Sequence, residues 1–407
     1  QSKIMKIHLM LLAFLLGAGL KAQNSVTVVA ADGSGDYKTL QEAVNACSAD
    51  SVRHLLFIKN GIYEERVNLP KGKTISLIGE SRDGVVISNN RNRGKESRYR
   101  NFRDITTMLC NGDDFYMENL TVANTAGDVG QAEAHYIAGD RQVYRNCKFT
   151  GFQDTQRTNG GARAYLRDCF IEGAVDFIYG DGLIYYDRCT INSVNGGGYV
   201  TAPAECSATE PGTDGKILHY GYVFNRSNLT ANPDVKDGSY YLGRPWKKDA
   251  ASYFINCTLG THINARGWKE WNGTEATADM AEWGSLTPQG KPADLSGRAE
   301  WSRQLSEEDA LRLTPEYVFT KLHPEKNFDY QKFCVKLDAP AYVKIQGETL
   351  TWGAVKDAVA YLVYCNGRFM TVAYHNSCKI VKKQKALYSV KAVSRLGVTG
   401  LEAESGK

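Results

Sequence analysis

The chain has 407 residues, of which 43% are hydrophobic and 23% charged, and its formal net charge is +4. This length exceeds that of one ordinary domain and allows a large core. The weakly positive balance gives no reason to expect a nucleic-acid-binding protein, and it is compatible with an acidic substrate.

The first predicted element is a signal peptide over residues 5–23. Lys6 supplies its positive end, residues 9–16 its apolar stretch and residues 20–22 a cleavage site. A buried N-terminal helix is the alternative, and the apolar run is too short for a membrane span. We therefore expect an exported protein in the periplasm, at the cell surface or in the medium.

A repeated segment follows in residues 116–259. Four copies carry a central cysteine and two carry leucine or serine in its place: VYRNCKF (143–149), YLRDCFI (165–171), YYDRCTI (185–191), YFINCTL (253–259), YMENLTV (116–122) and VFNRSNL (223–229). Large apolar residues recur four places before and two places after the central residue. This even spacing predicts one inward face of a β-strand.

The central residues of successive copies are 27, 22, 20, 38 and 30 residues apart. A short strand that recurs near 22 residues, without helical periodicity, predicts a solenoid. We expect an all-β protein whose residues 24–325 form a right-handed parallel β-helix. Its cysteines should form a buried column in which the spacing permits disulfides, although we expect free thiols.

Two aspartates occupy matching places in adjacent repeats. Asp154, in GFQDTQ, and Asp176, in GAVDFIYGDG, each follow a repeat cysteine by seven residues. Stacked strands lie about 4.8 Å apart, so the two carboxyl groups should be close together in an apolar setting. We expect one pKa to rise and the other to stay low beside a cation, as in an acid/base pair or a nucleophile with an acid. The alternative is two turn aspartates bound to backbone amides.

Other residues are candidates to complete a hydrolytic site. Gln131 lies 22 residues before Gln153, about one coil, so both amides could stabilise an oxyanion. Arg244, in LGRPW, could hold Asp176 ionised, and Trp246 could contact a sugar or simply pack. The sequence has no GxSxG, HExxH or Walker motif and no histidine cluster with metal-ligand spacing, so we expect no metal and no cofactor.

The repeat pattern ends after HPEKNF (323–328), and residues 337–405 alternate like the strands of a β-sandwich. The segments around Trp352, Tyr361 and Tyr388 resemble a fibronectin type III domain. About 70 residues is short for such a sandwich, so we expect a strand to be missing or merged. We expect this small domain to be a spacer or an interaction module.

Most of the chain, from about residue 26 to 319, resembles the pectin methylesterases, which have a pectin lyase-like β-helix. The resemblance rests on an ordered set of motifs: GSGDYKTLQEAV (33–44), GIYEERV (61–67), ISLIGE (75–80), NTAGDVGQAEAHY (124–136), GFQDTQ (151–156), VDFIYG (175–180), YLGRPW (241–246) and RGWKEWNG (266–273). It implies an exported pectinesterase that removes methyl esters from the galacturonate units of pectin and releases methanol. We expect a monomer.

The resemblance also implies a role for each candidate. Asp176 is expected to be the nucleophile, and Asp154 the acid that protonates methanol and then the base that activates water. Gln131 and Gln153 are expected to stabilise the oxyanion, and Arg244 to keep Asp176 ionised. The aromatic residues expected in the substrate groove are Trp246, Phe152 and Phe177.

Three departures from the family motifs keep alternatives open. Tyr179 stands where phenylalanine is usual, and His135 and Tyr136 depart from the QAVAL motif. A related esterase that acts on another acyl substrate is therefore one alternative. A second is a non-catalytic β-helix that binds acidic polysaccharide, which would explain the groove aromatics but not the full set of acids, amides and arginine. The expected partner is methyl-esterified pectin, with no nucleic acid and no membrane span.

Overall fold

The computed structural model describes residues 25–381 and 385–406. The predicted signal peptide, residues 5–23, lies outside the described residues. Within the described ranges, the helices are too short or too polar to cross a membrane.

Residues 26–333 contain 28 of the strands and all of the helices that the structure describes. In chain order the strands are β1 (Val26–Val29), β2 (Arg53–Ile58), β3 (Gly61–Glu64), β4 (Val67–Leu69), β5 (Thr74–Gly79), β6 (Val85–Asn89), β7 (Met108–Cys110), β8 (Tyr116–Glu118), β9 (Thr121–Asn124), β10 (His135–Ile137), β11 (Gln142–Arg145), β12 (Lys148–Thr150), β13 (Gln156–Thr158), β14 (Arg163–Arg167), β15 (Phe170–Gly173), β16 (Val175–Gly180), β17 (Leu183–Asp187), β18 (Thr190–Ser193), β19 (Tyr199–Pro203), β20 (Thr209–Pro211), β21 (Ile217–His219), β22 (Tyr222–Asn225), β23 (Asn228–Ala231), β24 (Tyr241–Gly243), β25 (Ala251–Ile255), β26 (Thr258–Leu259), β27 (Asp279–Trp283) and β28 (Arg303–Gln304). The α-helices are α1 (Leu40–Ala46), α2 (Phe102–Ile105), α3 (Glu307–Arg312) and α4 (Pro315–Val318), and the 3₁₀ helices are Thr274–Ala276 and Gln331–Phe333.

Apart from the hairpin β20–β21, these strands form three parallel sheets, and each coil between β2 and β24 contributes one strand to each sheet. The eleven-stranded sheet has the order β1-β2-β5-β8-β11-β14-β17-β22-β25-β27-β28, the seven-stranded sheet β24-β19-β16-β13-β10-β7-β4, and the eight-stranded sheet β26-β23-β18-β15-β12-β9-β6-β3. The predicted right-handed parallel β-helix is confirmed. The only antiparallel pair among strands β1–β28 is the hairpin β20–β21.

The strand register reproduces the predicted repeat columns. Val143 pairs with Tyr116 and with Tyr165, and Phe149 pairs with Val122 and with Ile171. The two columns were expected to share one inward face, and this is wrong. The column two places after the cysteines lies in the central core, whereas the column four places before them belongs to a separate cluster on the outside of the coils.

A single left-handed residue explains the reversal. The residue before each central position has a positive φ: Asn119, Asn146, Asp168, Arg188, Arg226 and Asn256, with φ between 49° and 58°. This residue turns the corner between two strands, so the alternation of side chains restarts there. In the eleven-stranded sheet, the column that points inward is therefore the one three places before the central residue. In this column Tyr186 stacks on Phe224 at 4.4 Å and Phe224 stacks on Phe254 at 4.5 Å between ring centroids.

Residues 313–333 cover the outward column of the eleven-stranded sheet. The ring of Phe333 stacks on Tyr116 at 5.0 Å, and the ring of Tyr330 lies 4.3 Å from that of Tyr165. Residues 313–333 thus remove a row of tyrosines from water. Burial of this apolar surface is the main favourable contribution to packing of this kind.

The ten cysteines of the chain all lie within the described ranges, and the free thiols are those of Cys110, Cys147, Cys169, Cys189, Cys206, Cys257, Cys334, Cys365 and Cys378. Cys147, Cys169, Cys189 and Cys257 are buried in the central core, as the column predicts. Each Sγ contacts a backbone carbonyl oxygen, for example that of Met117 at 3.5 Å from Cys147. They fill the corners as small apolar side chains.

The C-terminal region is a small β-sandwich. Its strands are β29 (Val343–Gln346), β30 (Thr349–Trp352), β31 (Ala358–Cys365), β32 (Arg368–Ala373), β33 (Ser377–Lys379), β34 (Tyr388–Ser394) and β35 (Thr399–Glu404). They form two antiparallel sheets with the orders β29-β30-β33 and β32-β31-β34-β35. The expectation of a missing strand does not hold, because the described residues contain seven strands. Trp352, Tyr361 and Tyr388 lie together in its core.

The sandwich packs directly on the first coils of the β-helix. Leu362 and Tyr364 of β31 share a buried cluster with Phe57 of β2 and Ile78 of β5. Hydrogen bonds flank this cluster, including one from the backbone N–H of Thr399 to the buried carboxylate of Glu118, at 3.0 Å. The domain is therefore docked against the β-helix rather than held away from it as a spacer.

Candidate active site

A cavity of about 270 Å³ opens on the outside of the seven-stranded sheet. Its lining brings together every residue predicted to act in the chemistry, and it adds residues that the sequence did not predict. The lining residues are Phe102, Gln131, Gln153, Asp154, Asp176, Tyr179, Ala202, Arg244, Trp246 and Trp271.

The two glutamines lie in adjacent coils, as their spacing predicts. Gln131 pairs with Gln153 in parallel register, and Gln153 pairs in turn with Val175. Both glutamines are half-buried at the edge of the cavity. Parallel strands place equivalent side chains about 4.8 Å apart, so the two amides approach the same region of the cavity.

The two aspartates are corner residues in successive coils. Asp154 has φ 62° and Asp176 has φ 47°, a left-handed conformation that aspartate adopts more readily than most residues. The backbone N–H of Asp154 donates to the carbonyl oxygen of Val175 at 3.1 Å. Both aspartates thus lie at corners of the backbone, and both line the cavity.

Arg244 is held by the chain on both sides. Gly243 ends β24 beside Thr201 of β19, where a Cβ atom would lie only 2.0 Å from the threonine Oγ1, so only glycine allows this pairing. The backbone N–H of Arg244 donates to the carbonyl oxygen of Thr201 at 3.0 Å. Its guanidinium lies between the rings of Tyr199 and Trp271, 3.8 and 3.9 Å from their centroids.

Arg244 and Asp176 form a bidentate ion pair. Nε donates to Oδ1 at 2.9 Å and Nη2 donates to Oδ2 at 2.7 Å. Two parallel charge-assisted bonds fix the plane of the carboxylate as well as its charge. Because two aromatic rings hold the guanidinium in place, the carboxylate has little freedom to rotate.

Burial raises the pKa of both aspartates. For Asp154 the pKa lies well above its usual range, because burial, the charge of Asp176 and the charge of Glu133 all disfavour ionisation. For Asp176 burial also raises the pKa, and the hydrogen bonds and charge of Arg244 oppose that rise. The sequence predicted that the pKa of Asp176 would stay low, but its desolvation outweighs the arginine. Asp154 thus favours the protonated form more strongly than Asp176 does.

An acidic residue that sequence reasoning missed lies beside these aspartates. Glu133 is fully buried, and its carboxylate accepts hydrogen bonds from the hydroxyls of Tyr179 and Thr106. The signal was present in GQAEAHY, where a glutamate stands between two alanines. The hydroxyl of Tyr179, the residue that stands where phenylalanine is usual in the family motif, is the group that donates to Glu133.

The predicted groove aromatics fall in three different places. Trp246 lines the cavity, with its ring edge-on to Tyr179 at 6.0 Å. Phe152 is half-buried outside the cavity lining, next to Gly196. Phe177 is fully buried in the core of the β-helix. The expectation that Phe177 contacts substrate is wrong, because its side chain points inward where the neighbouring Asp176 points outward.

The arrangement can perform acyl transfer. It offers an ionisable oxygen held by an arginine, a second carboxyl group that favours its protonated form, and two amide donors. In the part of the chain that the structure describes, His, Cys, Asp and Glu residues form no cluster of three or more that could hold a metal ion.

Comparison with known proteins supports a relationship across the β-helix. The model of the pectinesterase family matches residues 26–321. Probable pectinesterase/pectinesterase inhibitor 58 of Arabidopsis thaliana is 35% identical over 313 residues, which cover 73% of this chain and 52% of the relative. The chain spans about half the length of the curated relatives it matches.

Solved structures give the same relationship. A pectin methylesterase from carrot is 30% identical with a TM-score of 0.65, over 75% of this chain and 95% of that one. A pectin methylesterase from Erwinia chrysanthemi is 25% identical with a TM-score of 0.60, over 75% of this chain and 99% of that one. With the family match over residues 26–321, the chain belongs to the pectinesterase family.

Proposed function

We propose that this chain is an exported ester hydrolase that removes methyl groups from the galacturonate units of pectin and releases methanol. The observation that carries the proposal is the bidentate Arg244–Asp176 pair, with Asp154 one coil away at the edge of the same cavity. The names of the solved relatives, which are pectin methylesterases, support the choice of substrate.

In the first half of the reaction, a carboxylate oxygen of Asp176 attacks the carbonyl carbon of the methyl ester. The amides of Gln131 and Gln153 donate hydrogen bonds to the oxyanion that forms. As the tetrahedral intermediate collapses, the bond to the methoxy oxygen breaks and Asp154 donates its proton to that oxygen. Methanol leaves, and an anhydride joins Asp176 to the galacturonate carbonyl.

In the second half, Asp154 is a carboxylate and acts as the base. It takes a proton from a water molecule, whose oxygen attacks the galacturonate carbonyl of the anhydride. Collapse of this second intermediate expels the carboxylate of Asp176, which Arg244 stabilises. The product acid then loses its proton to solvent, so one ester and one water give one methanol, one carboxylate and one proton.

The test is methanol release from highly methylated pectin by the parent and by Asp176→Asn. This substitution keeps the shape of the side chain and removes the nucleophilic charge. Asp168→Asn is a matched control, because Asp168 is also a left-handed corner aspartate but lies at the surface beside Arg188. We expect release by the parent and the control and a loss of at least about a thousandfold in Asp176→Asn.

The same assay separates the alternatives. Equal release by the parent and Asp176→Asn would remove Asp176 as the nucleophile. Binding of pectin without release by any variant would favour a binding protein. Hydrolysis of other acyl esters but not of pectin would favour a related esterase, with Tyr179 the first residue to examine.

Four further statements belong to the proposal. The chain is exported, which N-terminal sequencing of the mature protein from the source cells tests. It acts as a monomer, which light scattering tests. Trp246 and Phe152 contact the sugar chain. Residues 337–405 are a fibronectin type III-like domain, supported by two sheets of three and four strands around Trp352.

A further inference from the structure

Glu133 lies level with Asp154 in the preceding coil. The backbone N–H of Ala132 donates to the carbonyl oxygen of Gln153 at 3.1 Å, and that of Ala134 donates to the carbonyl oxygen of Thr155 at 2.9 Å. Between these two bonds lie Glu133 in one coil and Asp154 in the next. The parallel register thus places an additional carboxylate beside Asp154.

Asp176 lies on the other side of Asp154. Gln153 pairs with Val175, and the N–H of Asp154 donates to the carbonyl oxygen of Val175. Glu133, Asp154 and Asp176 therefore come from three successive coils, and we call them the acid column. Neighbouring coils are about 4.8 Å apart, so Asp154 is the member with an acid on each side.

Glu133 is held from three directions and does not line the cavity. Tyr179 on β16 and Thr106, just after α2, donate their hydroxyls to its two oxygens. Arg157 Nη1 lies 3.7 Å from Oε1. Its contacts are thus with the protein rather than with substrate, and it can act only through its neighbours.

The charged and titratable groups around the column come from several elements. Those that face Glu133 are Arg93, Tyr136, Asp154, Arg157 and Tyr179. Those that face Asp154 are Glu133, Arg157, Asp176, Tyr179 and Arg244. Two arginines face Asp154 in this set, yet its burial and its two acidic neighbours outweigh them.

We propose that Glu133 is a positioning residue whose negative charge favours the protonated form of Asp154, the form that donates a proton to departing methanol. The inference rests on the proposed function for the meaning of that proton. The pKa of Glu133 is itself raised by burial to about 7, so its charge acts most strongly above that pH. The pKa of Asp154 is raised in part by Glu133. The hydroxyl of Tyr179 binds this carboxylate, and its ring contacts that of Trp246 in the groove wall. Tyr179 therefore connects the acid column with the groove.

The direct test is a titration of the Asp154 carboxyl carbon by NMR, in full-length protein with labelled aspartate and in Glu133→Gln. Loss of one signal in Asp154→Asn assigns the resonance. Glutamine keeps the shape of Glu133, its oxygen can accept from Tyr179, and its amide can donate to the Thr106 hydroxyl. We expect the pKa of Asp154 to fall by about one unit, as removal of a nearby like charge predicts.

A matched control removes another buried glutamate. Glu118 is also fully buried and also accepts hydrogen bonds from a tyrosine, Tyr116, and an arginine, Arg145, but it lies outside the cavity. Glu118→Gln should leave the titration of Asp154 within about 0.2 unit of the parent. In kinetics, the alkaline limb of kcat/KM should move down by about one pH unit in Glu133→Gln and stay in place in Glu118→Gln.

An unchanged titration of Asp154 in folded Glu133→Gln would overturn the inference. If that variant does not fold, Glu133→Val with Tyr179→Phe removes the charge and the orphaned hydroxyl together, and the same fall in pKa is expected. A purely structural role would lower kcat at every pH without moving the limb. If the titration of Asp154 shifts but the protein releases no methanol, the role of Glu133 stands and the proposed reaction is rejected. If methanol is released but the titration does not shift, the proposed reaction stands and the role of Glu133 is rejected.

Discussion

The two long sides of the β-helix arise from the same coils and end in opposite chemistry. On the eleven-stranded side, apolar and aromatic columns are covered by residues 313–333 and by the sandwich. On the seven-stranded side, corner residues present carboxyl groups and amides to an open cavity. Burial of apolar surface stabilises the first side, whereas the second side desolvates acids, which is unfavourable.

This difference indicates how stability and chemistry are divided in the molecule. A repeated coil supplies rigid, evenly spaced positions wherever it is well covered. The groove uses those positions for groups that would destabilise an ordinary surface. Substitutions on the covered side should therefore lower the free energy of unfolding and leave the reaction unchanged. Substitutions in the groove should slow the reaction and not lower the free energy of unfolding.

The largest expected effect is that of Arg244→Ala in the groove. It leaves the buried carboxylate of Asp176 without its cation, so the pKa of Asp176 rises further and the nucleophile is protonated near neutral pH. We expect kcat for methanol release to fall by about a thousandfold at pH 6, with the acid limb of the pH profile moved upward. Steady-state kinetics between pH 5 and 9 measure both.

Two variants sharpen this prediction. Arg244→Lys keeps the charge but not the bidentate geometry, so it should restore part of the activity. Arg226→Ala removes an exposed arginine that pairs with Asp187, and it should change kcat by less than about twofold. An acid limb that stays in place in Arg244→Ala would contradict the assigned role of the ion pair.

The next effect concerns the covered side. Leu362 is 1% exposed in the cluster between the sandwich and the β-helix. We expect Leu362→Ala to lower the free energy of unfolding by about 2–5 kcal/mol, because a cavity forms in a packed interface. Denaturant unfolding measures this, and Leu401→Ala, at a site 51% exposed on the same domain, is the control with an expected loss below about 0.5 kcal/mol.

The kinetic result decides what the docked domain does. Folded Leu362→Ala should keep the parent kcat and KM at a temperature below its transition. A selective loss of kcat without a loss of stability would mean that the packing of the sandwich influences the groove on the other side of the β-helix. It would contradict the separation of stability and chemistry between the two sides.

A smaller effect is the pH dependence of stability that Glu133 introduces. Its pKa is raised from 4.5 to about 7 by burial, so between these values the folded chain keeps a proton that the unfolded chain has released. Stability from this group is therefore complete below pH 4.5 and is lost as the pH rises through 7. We expect the free energy of unfolding to fall across this window in the parent, and to fall by about 2–3 kcal/mol less in Glu133→Gln.

Urea unfolding at pH 5 and pH 8 compares the two proteins. Because the groups that do not interact with Glu133 titrate alike in both, the difference between them reports Glu133 together with the acid coupled to it, Asp154. The prediction fails if Glu133→Gln loses as much stability as the parent between these pH values.

Local patterns in the sequence were sufficient for the register but not for the direction of the side chains. The spacing of the central residues predicted which residues pair, since a one-residue slip would misplace a whole column. It could not reveal that one left-handed residue, such as Asn146, turns a corner in each copy. That corner reverses the alternation and sends Tyr165 outward to meet Tyr330.

The site followed the same rule. Asp154, Asp176 and the two glutamines were predictable, because all four occupy repeated offsets in successive coils. Partners from distant segments were not, since no local pattern links residue 199 or 271 to Arg244. The docking of the sandwich could not be predicted either, because the sequence pattern of a buried strand such as β31 does not show which apolar surface packs against it.

The smallest predicted effect is at Trp246, the groove residue that is 37% exposed. Its ring meets Tyr179 at an edge and has the Lys247 ammonium 5.1 Å from its centroid, and its exposed part can contact a sugar. A contact made equally in the bound and transition states changes KM and leaves kcat in place, so we expect Trp246→Phe to raise KM about threefold to tenfold with kcat within about twofold. Initial rates over a range of pectin concentrations measure the split, with Tyr342→Phe, at an exposed site on the sandwich, as a control that should change neither value. A fall in kcat with no change in KM would instead place Trp246 among the groups that orient the ester for attack by Asp176, and would extend the catalytic side of the comparison to the outer rim of the groove.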